Sequence, residues 1–295
     1  MRRQQHPNIR YWMAGAEALQ RLCDKRLYIC PLCLQGFREA QAIDELTREH
    51  VPPEKLGGKR MLLTCKECNS RAGSELDHHA ITQEQARWFA ADQSYGRIPM
   101  HLSFAGLGVT AELRKEASTN IIRVLSECNS ATDIERFAKA AGTWGDGAEL
   151  QIGFRRRHIP KRSQISWLRS AYLLAFAWLG YRYVLREVLK KVRLQIKEPA
   201  TPHISNFYTF DASIDGRRIG VVQEPHKVRA ILVVAQGHIV LLPLFDGDDS
   251  LYERIAECQG GHSFRGPSFS WPDKAIYRLD HATAEELATF SSLRW

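Results

Sequence analysis

Two Cys-x-x-Cys pairs constrain the fold of this chain more than any other feature of its sequence. They are Cys30 with Cys33, and Cys65 with Cys68, and 31 residues separate the two pairs. Two such pairs can supply four thiolates arranged tetrahedrally around one zinc ion, at distances of about 2.3 Å. A zinc ion held in this way stabilises a small module that has little apolar core of its own. We therefore predict a closed structural zinc site that has no open position for a substrate.

Three further cysteines, Cys23, Cys128 and Cys258, bring the total to seven. No apolar signal core follows the first residues, and the longest apolar run, 171–181, is shorter than the roughly 20 residues of a membrane-spanning helix. We therefore expect a cytoplasmic protein without membrane association, in which paired cysteines bind metal instead of forming disulfides. The three remaining cysteines are predicted to be ordinary buried thiols.

Hydrophobic patterning predicts an α+β fold. Short apolar strands at 46–51 and 61–64 flank a glycine-containing loop, and a helix is expected from Asn69 to Ala91. Further along the chain, the pattern predicts an antiparallel sheet with a hairpin that turns at Gln236-Gly237. One long helix is expected from Gln164 to Ile196, buried in its first half and basic in its second half.

The positive charge of the chain is concentrated in one segment. The whole chain has 41 Lys and Arg against 33 Asp and Glu, a net charge of +8. Residues 155–197 hold twelve basic residues and one acidic residue, a net of +11, so the rest of the chain is slightly negative. Such a concentration favours a polyanionic partner, either nucleic acid or an anionic membrane surface. A solvated helix face that happens to be rich in arginine is the alternative interpretation.

A change in sequence character near residues 92–97 predicts a domain boundary. We predict a zinc-bearing domain at residues 1–95. We also predict an α+β domain at residues 96–295, which has an antiparallel sheet and one long helix and which binds DNA, regulates the first domain, or does both.

A second group of chemically informative residues lies between and just after the cysteine pairs. Glu49 and His50 are adjacent, the glycine pair 57–58 follows, and Asn69 comes directly after the last paired cysteine. In this order, over about residues 28–80, the sequence resembles the zinc-bearing branch of the HNH endonucleases, also called ββα-metal or His-Me finger nucleases. The resemblance implies a zinc-stabilised ββα-metal fold for the first domain and metal-dependent hydrolysis of DNA.

The resemblance also implies a catalytic role for three residues. His50 would be the general base, since a neutral imidazole with a pKa of about 6.5 can accept a proton from water at neutral pH. Glu49 and Asn69 would hold the catalytic cation, and their oxygen atoms suit Mg²⁺ or Mn²⁺ better than zinc. A structural histidine at the end of a strand is the alternative for His50.

One position departs from the family pattern. An asparagine that braces the loop of the catalytic histidine is usual about five residues before the second cysteine pair, and here that position is Arg60. Arg60 could brace the loop through a backbone carbonyl, bind a phosphate, or mark a weakened or regulated enzyme. Further along, His78 and His79 could assist the metal or a phosphate, although a histidine pair after Asp77 on a helix is more often simply at the surface.

The residues expected to contact DNA phosphates are all basic, and they lie near the cysteine pairs or in the basic segment. They are Arg60, Arg71, Arg155, Arg156, Arg157, Lys161, Arg162, Lys190, Lys191 and Arg193. Phosphate contacts position a duplex without reading its sequence, and no helix-turn-helix or similar major-groove reader is recognisable. We therefore expect DNA cleavage with loose sequence specificity.

The function that the sequence predicts is nicking of DNA by an HNH endonuclease, with 5′-phosphate ends by family analogy. Stand-alone HNH proteins of this size resemble bacterial restriction and anti-phage defence nucleases, such as the Zorya type II nuclease. The resemblance therefore implies other proteins of a defence system as partners. One alternative is a catalytically inactive zinc-ribbon protein that binds nucleic acid or regulates another protein. Another is a protein-interaction platform in which zinc serves only folding.

Overall fold

The computed structural model describes residues 6–91, 98–116, 119–145, 148–154, 158–214, 216–245, 247–248, 250–258 and 264–270. The chain forms two compact units. One unit combines residues 1–80 with residues 160–295, and the other consists of residues 81–159. Sheets in both units are antiparallel and helices accompany them, so the predicted mixed α and β class is confirmed.

The chain first forms a helix, two short hairpins and a second helical region. In order, these elements are α1 (Pro7–Gln20), β1 (Tyr28–Ile29), β2 (Gly36–Phe37), β3 (Leu46–Val51), β4 (Lys59–Cys65), α2 (Lys66–Ala72), a π-helical turn (Gly73–Asp77) and α3 (His78–Ala90). β1 pairs with β2, and β3 pairs with β4. The helix expected from Asn69 begins at Lys66 instead, because Cys65 caps it: its Sγ accepts a hydrogen bond from the Cys68 backbone N–H.

α1 is held against β2 and the start of β3 by hydrogen bonds from its side chains as well as by apolar packing. The Asn8 amide donates to the carbonyl oxygens of Ala42 and Leu46 at 3.0 and 2.8 Å. The Trp12 indole N–H donates to the Phe37 carbonyl at 2.9 Å, and Trp12 is buried. These bonds give hydrogen-bond partners to three backbone carbonyl groups in or near the short strands.

The second unit is a small α and β layer by itself. Its elements beyond α3 are β5 (Ile98–Phe104), β6 (Leu107–Glu116), β7 (Thr119–Val124), α4 (Ala131–Ala141) and β8 (Gln151–Phe154), with the sheet order β7-β6-β5-β8. Alternate residues of β5, Met100 and Leu102 among them, point into a core that also contains Phe137 of α4. α4 packs against β5 and β6 of this sheet.

Over the described residues, the first unit continues from residue 160 with four helices and a five-stranded sheet. These elements are α5 (Pro160–Leu179), α6 (Tyr181–Val184), α7 (Lys190–Lys197), β9 (Tyr208–Phe210), β10 (Arg217–Val222), β11 (Ala230–Ala235), β12 (His238–Pro243), α8 (Leu251–Cys258) and β13 (Ser268–Ser270). The strand order is β13-β10-β11-β12-β9, and β11 and β12 form the hairpin predicted around Gln236-Gly237.

The single long helix predicted from Gln164 to Ile196 is wrong, because the chain forms three helices there. α5 ends before Gly180, whose φ of 65° and ψ of −156° an L side chain rarely adopts. A second interruption follows at Arg186, whose backbone is extended. The predicted burial of the first half is correct, since every residue of α5 from Ile165 to Leu179 is buried.

α5 connects the two stretches of chain that make up the first unit. It packs against β3 and β4 as well as against β12, so residues from 160 onward join residues 1–80 in one unit. The predicted boundary at residues 92–97 lies outside the described residues. None of the described helices is both long and apolar enough to cross a membrane.

Candidate metal centre and catalytic site

The four paired cysteines form one cluster. Their Sγ atoms all lie within 4.8 Å of one another, and those of Cys33 and Cys65 are 3.8 Å apart. A zinc ion with bonds of about 2.3 Å at the centre of a tetrahedron requires sulfur–sulfur distances of about 3.8 Å. The cluster therefore fits a structural zinc ion.

The other three cysteines correct one prediction. Cys258 is buried, but Cys23 and Cys128 are exposed, so two of the three are not the buried thiols expected from the sequence. Cys23 follows the end of α1, and Cys128 lies in a short 3-10 turn after β7.

Glu49 and His50 are neighbours in β3, but they lie in different surroundings. Glu49 pairs with Leu62 across the β3–β4 hairpin and His50 pairs with Arg60, and the register shifts by one residue between the two pairs. Successive side chains of a strand point to opposite faces. Glu49 is accordingly buried, at 4% exposure, whereas the His50 side chain is 22% exposed.

The carboxylate of Glu49 has two partners in the interior. Its Oε2 accepts a hydrogen bond of 2.9 Å from the Thr64 hydroxyl, and one of 2.6 Å from Nη2 of Arg169. Thr64 is the diagonal neighbour of Glu49 across the hairpin, where a contact of this kind is expected. Arg169 comes from α5, 120 residues further along the chain. Both contacts use Oε2, so Oε1 is the atom through which Glu49 could ligate a cation.

Arg169 joins Glu49 to a second acid, Asp77, at the end of the π-helical turn. Nη1 of Arg169 lies 3.5 Å from Asp77 Oδ2, and the Ser166 hydroxyl donates to Asp77 Oδ1 at 2.8 Å. Burial raises the pKa of Asp77, and the nearby Arg169 charge offsets part of that rise. Burial lowers the pKa of Arg169, but Glu49 and Asp77 raise it more, so the guanidinium stays charged.

His50 also has an arginine partner, but at the surface. Arg60 Nε lies 3.2 Å from His50 Nε2, and Glu54 Oε1 lies 3.9 Å from the same atom. Arginine can only donate, so this contact requires His50 Nε2 as the acceptor and is compatible with the tautomer that has its proton on Nδ1. Arg60 is exposed. Its side chain contacts the imidazole itself.

The loop after His50 is braced by a residue that the sequence did not suggest. The guanidinium of Arg217, in β10, donates to the carbonyl oxygens of Leu56 and Gly57, each at 3.1 Å. Gly58 packs so closely on this loop that a Cβ there would come within 1.5 Å of the Pro52 carbonyl oxygen. The glycine pair is therefore required for a tight loop, and the long-range brace comes from Arg217.

The remaining predicted site residues lie in the helical region that follows the cysteines. Asn69 is half-buried in α2, directly after Cys68. His79 is buried, at 4% exposure, and its ring lies 3.8 Å from that of His78. The expectation that this pair is simply at the surface is therefore wrong for His79.

The predicted DNA-contacting residues have varied surroundings. Lys190 and Lys191 are exposed at the start of α7, and Lys190 forms a 3.1 Å ion pair with Glu187. Lys161 is half-buried, with its Nζ 4.7 Å from the ring centroid of Phe207. Two further basic residues, one in α2 and one in α5, are also half-buried: they are Arg71 and Arg162.

The other predicted DNA-contacting residues are Arg193 and three consecutive arginines. Arg193 is engaged with its own unit, because its Nη1 donates to the Val184 carbonyl at 2.7 Å. Arg155, Arg156 and Arg157 lie outside the described residues.

Sequence reasoning missed the two arginines that reach the site from the C-terminal half, Arg169 and Arg217. Arg169 was counted only as part of the basic segment. Its one local signal is its position as the single charged residue of the stretch from Ile165 to Tyr181. A charge there has to be paired, because an unpaired buried charge is strongly unfavourable.

The comparison with protein families gave one match. A family model described as an HNH endonuclease matches residues 30–85, less than a fifth of the chain. The matched range contains the clustered cysteines as well as Glu49, His50 and Asn69. The comparisons with curated proteins and with solved structures gave no match. Residues 30–85 therefore fit a zinc-type HNH domain, which suggests nuclease activity on nucleic acid.

Proposed function

We propose that this protein is a metal-dependent HNH endonuclease that nicks DNA. The observation that carries the proposal is the HNH match over residues 30–85, a range that contains the zinc-type cysteine cluster and all three expected catalytic residues. The succession of β3, β4 and α2 beside the cysteine cluster supports a ββα-metal arrangement in this range.

Glu49 and Asn69 are the residues that would hold a single Mg²⁺ or Mn²⁺ ion. Their carboxylate and amide oxygens are the donor type that these ions prefer, and Glu49 Oε1 is the atom on the carboxylate that Thr64 and Arg169 do not use. When bound, such a cation stabilises negative charge on the phosphate and on the departing 3′ oxygen. A zinc ion bound by the four cysteines would hold α2 next to β4 and so limit the movement of Asn69.

His50 is the proposed general base. A neutral ring with its proton on Nδ1 presents a basic Nε2, which is the atom that Arg60 contacts. Arg60 is exposed and can turn toward an incoming phosphate, with which a guanidinium makes stronger charge-assisted hydrogen bonds. This movement would free Nε2 to take a proton from the attacking water. Arg60 therefore serves phosphate binding in this mechanism, in place of the bracing asparagine of the family.

The basic residues of the chain are proposed to hold the DNA backbone without reading sequence. Lys190 and Lys191 are the exposed members of the predicted set in the described part of the chain, apart from Arg60. The division into a nuclease domain at 1–95 and a DNA-binding or regulatory part at 96–295 remains a proposal, as does a role in bacterial defence with further protein partners.

An inactive nucleic-acid-binding protein is the second candidate. Two contacts favour it: Arg60 lies on the base atom of His50, and Arg169 lies on the carboxylate of Glu49. In that case the zinc-type cluster would serve folding only, and no divalent cation would bind beside Glu49.

The test is nicking of supercoiled plasmid DNA by the purified full chain, with Mg²⁺, with Mn²⁺ and with EDTA. We expect nicking by the wild-type protein that EDTA abolishes, and a loss of about 10²- to 10⁴-fold in His50→Ala, as for removal of a general base. His101→Ala is the matched control, since His101 is an exposed histidine of β5 in the other unit. Zinc content is measured in all three proteins to confirm that the fold is intact.

Equal nicking by wild type and His50→Ala would reject His50 as the base. If the wild-type protein binds DNA but does not nick it in any metal, the second candidate is favoured. Cleavage that persists in EDTA would contradict the metal dependence itself.

A further inference from the structure

The carboxylate proposed to ligate the catalytic cation already has a cationic partner. Nη2 of Arg169 lies 2.6 Å from Glu49 Oε2, and the side chains of Arg169 and Glu49 are 1% and 5% exposed. Water therefore screens this pair very little. A divalent cation on Oε1 would share one carboxylate with the guanidinium, and the two positive charges would repel each other.

The charges that face Arg169 come from several elements. Glu49 belongs to β3, and Asp77 belongs to the π-helical turn. Each acid also accepts a hydrogen bond from a neutral hydroxyl, Glu49 from Thr64 in β4 and Asp77 from Ser166 in α5. Two acids thus share one guanidinium. If Arg169 moved into solvent, both acids would lose their cationic partner in the interior. The Arg169 charge is therefore a permanent part of the site.

We propose that Arg169 is a resident counter-cation of Glu49 that competes with the catalytic divalent cation and keeps its affinity low. The inference rests on the proposed function only in taking Glu49 as a metal ligand. Arg169 thereby determines the concentration of Mg²⁺ or Mn²⁺ at which the site becomes loaded. It reaches the site from α5, so the C-terminal half of the chain sets a property of residues 30–85.

A purely orienting role for Arg169 predicts the opposite result. Hydrogen bonds from neighbours often hold a metal-ligating carboxylate in place, and their loss weakens metal binding by about 10- to 100-fold. Loss of a repelling charge on the same carboxylate strengthens binding instead. The repulsion acts between a unit charge and a double charge in a poorly screened interior, and it should exceed the orienting effect.

The experiment is a titration of Mn²⁺ into the zinc-loaded full chain, followed by the electron paramagnetic resonance signal of free Mn²⁺. Arg169→Gln removes the charge but keeps a side chain that can donate a hydrogen bond to Glu49. We expect it to bind Mn²⁺ at least about tenfold more tightly than the wild type. Arg169→Lys retains the charge and should bind as weakly as the wild type. Glu49→Gln in the Arg169→Gln background should remove the gained affinity, which assigns the ion to this carboxylate.

Should Arg169→Gln lose its zinc or its fold, the double variant Asp77→Asn/Arg169→Gln gives the same comparison. It removes one buried charge of each sign and still frees Glu49 of its counter-cation, so it too should bind Mn²⁺ more tightly. Unchanged or weaker binding in the folded neutral variants overturns the inference, as does equally tight binding by Arg169→Lys. Plasmid nicking by the wild type is assayed separately, so the proposed function can stand when this inference fails.

Discussion

Two neighbouring residues of β3 each contact an arginine, and the two arginines differ in almost every other respect. Arg60 contacts His50 from the facing strand of the same hairpin, and it is exposed. Arg169 contacts Glu49 from a helix 120 residues away, and it is buried. A single strand thus presents one proposed catalytic group to the surface and the other to the interior.

The difference shows which contact can be exchanged during a reaction. An exposed arginine loses little when it leaves its partner, because water solvates it, and such pairs contribute about 0–1 kcal/mol. A buried arginine that leaves its partner uncovers an unpaired charge, and breaking such a pair costs about 3–5 kcal/mol. Arg60 is therefore suited to bind substrate, whereas Arg169 is a fixed part of the fold.

The largest effect on stability is expected when the buried arginine is removed. Arg169→Met leaves Glu49 and Asp77 without their cation, so the free energy of unfolding should fall by about 3–5 kcal/mol. Urea unfolding followed by circular dichroism measures it. Arg182→Met is the control, because Arg182 is exposed in the neighbouring helix α6 and its replacement should change stability little. A similar small change in Arg169→Met would contradict a buried ion pair.

A smaller effect is expected at Thr64, the neutral partner of Glu49. Thr64→Val keeps the shape of the side chain but removes the hydroxyl that donates to Glu49 Oε2, and it should lower stability by about 1–3 kcal/mol. Thr47→Val is the matched control, since Thr47 faces Thr64 across the same hairpin and is only half-buried. Equal losses in the two variants would mean that the bond to Glu49 contributes nothing specific.

The smallest effect on stability is expected at the exposed arginine. Arg60→Gln should change the free energy of unfolding by less than about 1 kcal/mol. Under the proposed function, it should nevertheless slow plasmid nicking by about 10²-fold, because a phosphate-binding charge is lost. Lys59→Gln, at the adjacent exposed position of β4, controls for the loss of one positive charge. If Arg60→Gln lost much stability but nicked DNA normally, Arg60 would be a structural residue and not a phosphate-binding one.

Much of the local structure followed from the sequence because its causes are local. The β3 and β4 strands and the hairpin at Gln236-Gly237 were predicted from short apolar runs and from turn residues within a few positions. The long helix was wrong because helical periodicity continues through Gly180, whereas the backbone there does not. The exposure of Cys23 was missed for a related reason, since the sequence does not tell which neighbours will cover a residue.

The amino-acid sequence alone determined the cysteine cluster, because two residues between paired cysteines bring both sulfur atoms to one side of a tight turn. It also determined the adjacency of Glu49 and His50, which a strand must send to opposite faces. Only the tertiary structure decided the partners of those side chains. Arg169 and Arg217 reach the β3–β4 region from α5 and β10, and no periodicity links residues more than a hundred positions apart. The physical reason is burial: an acid enclosed by the fold must find a cation, and the packing of α5 supplies it.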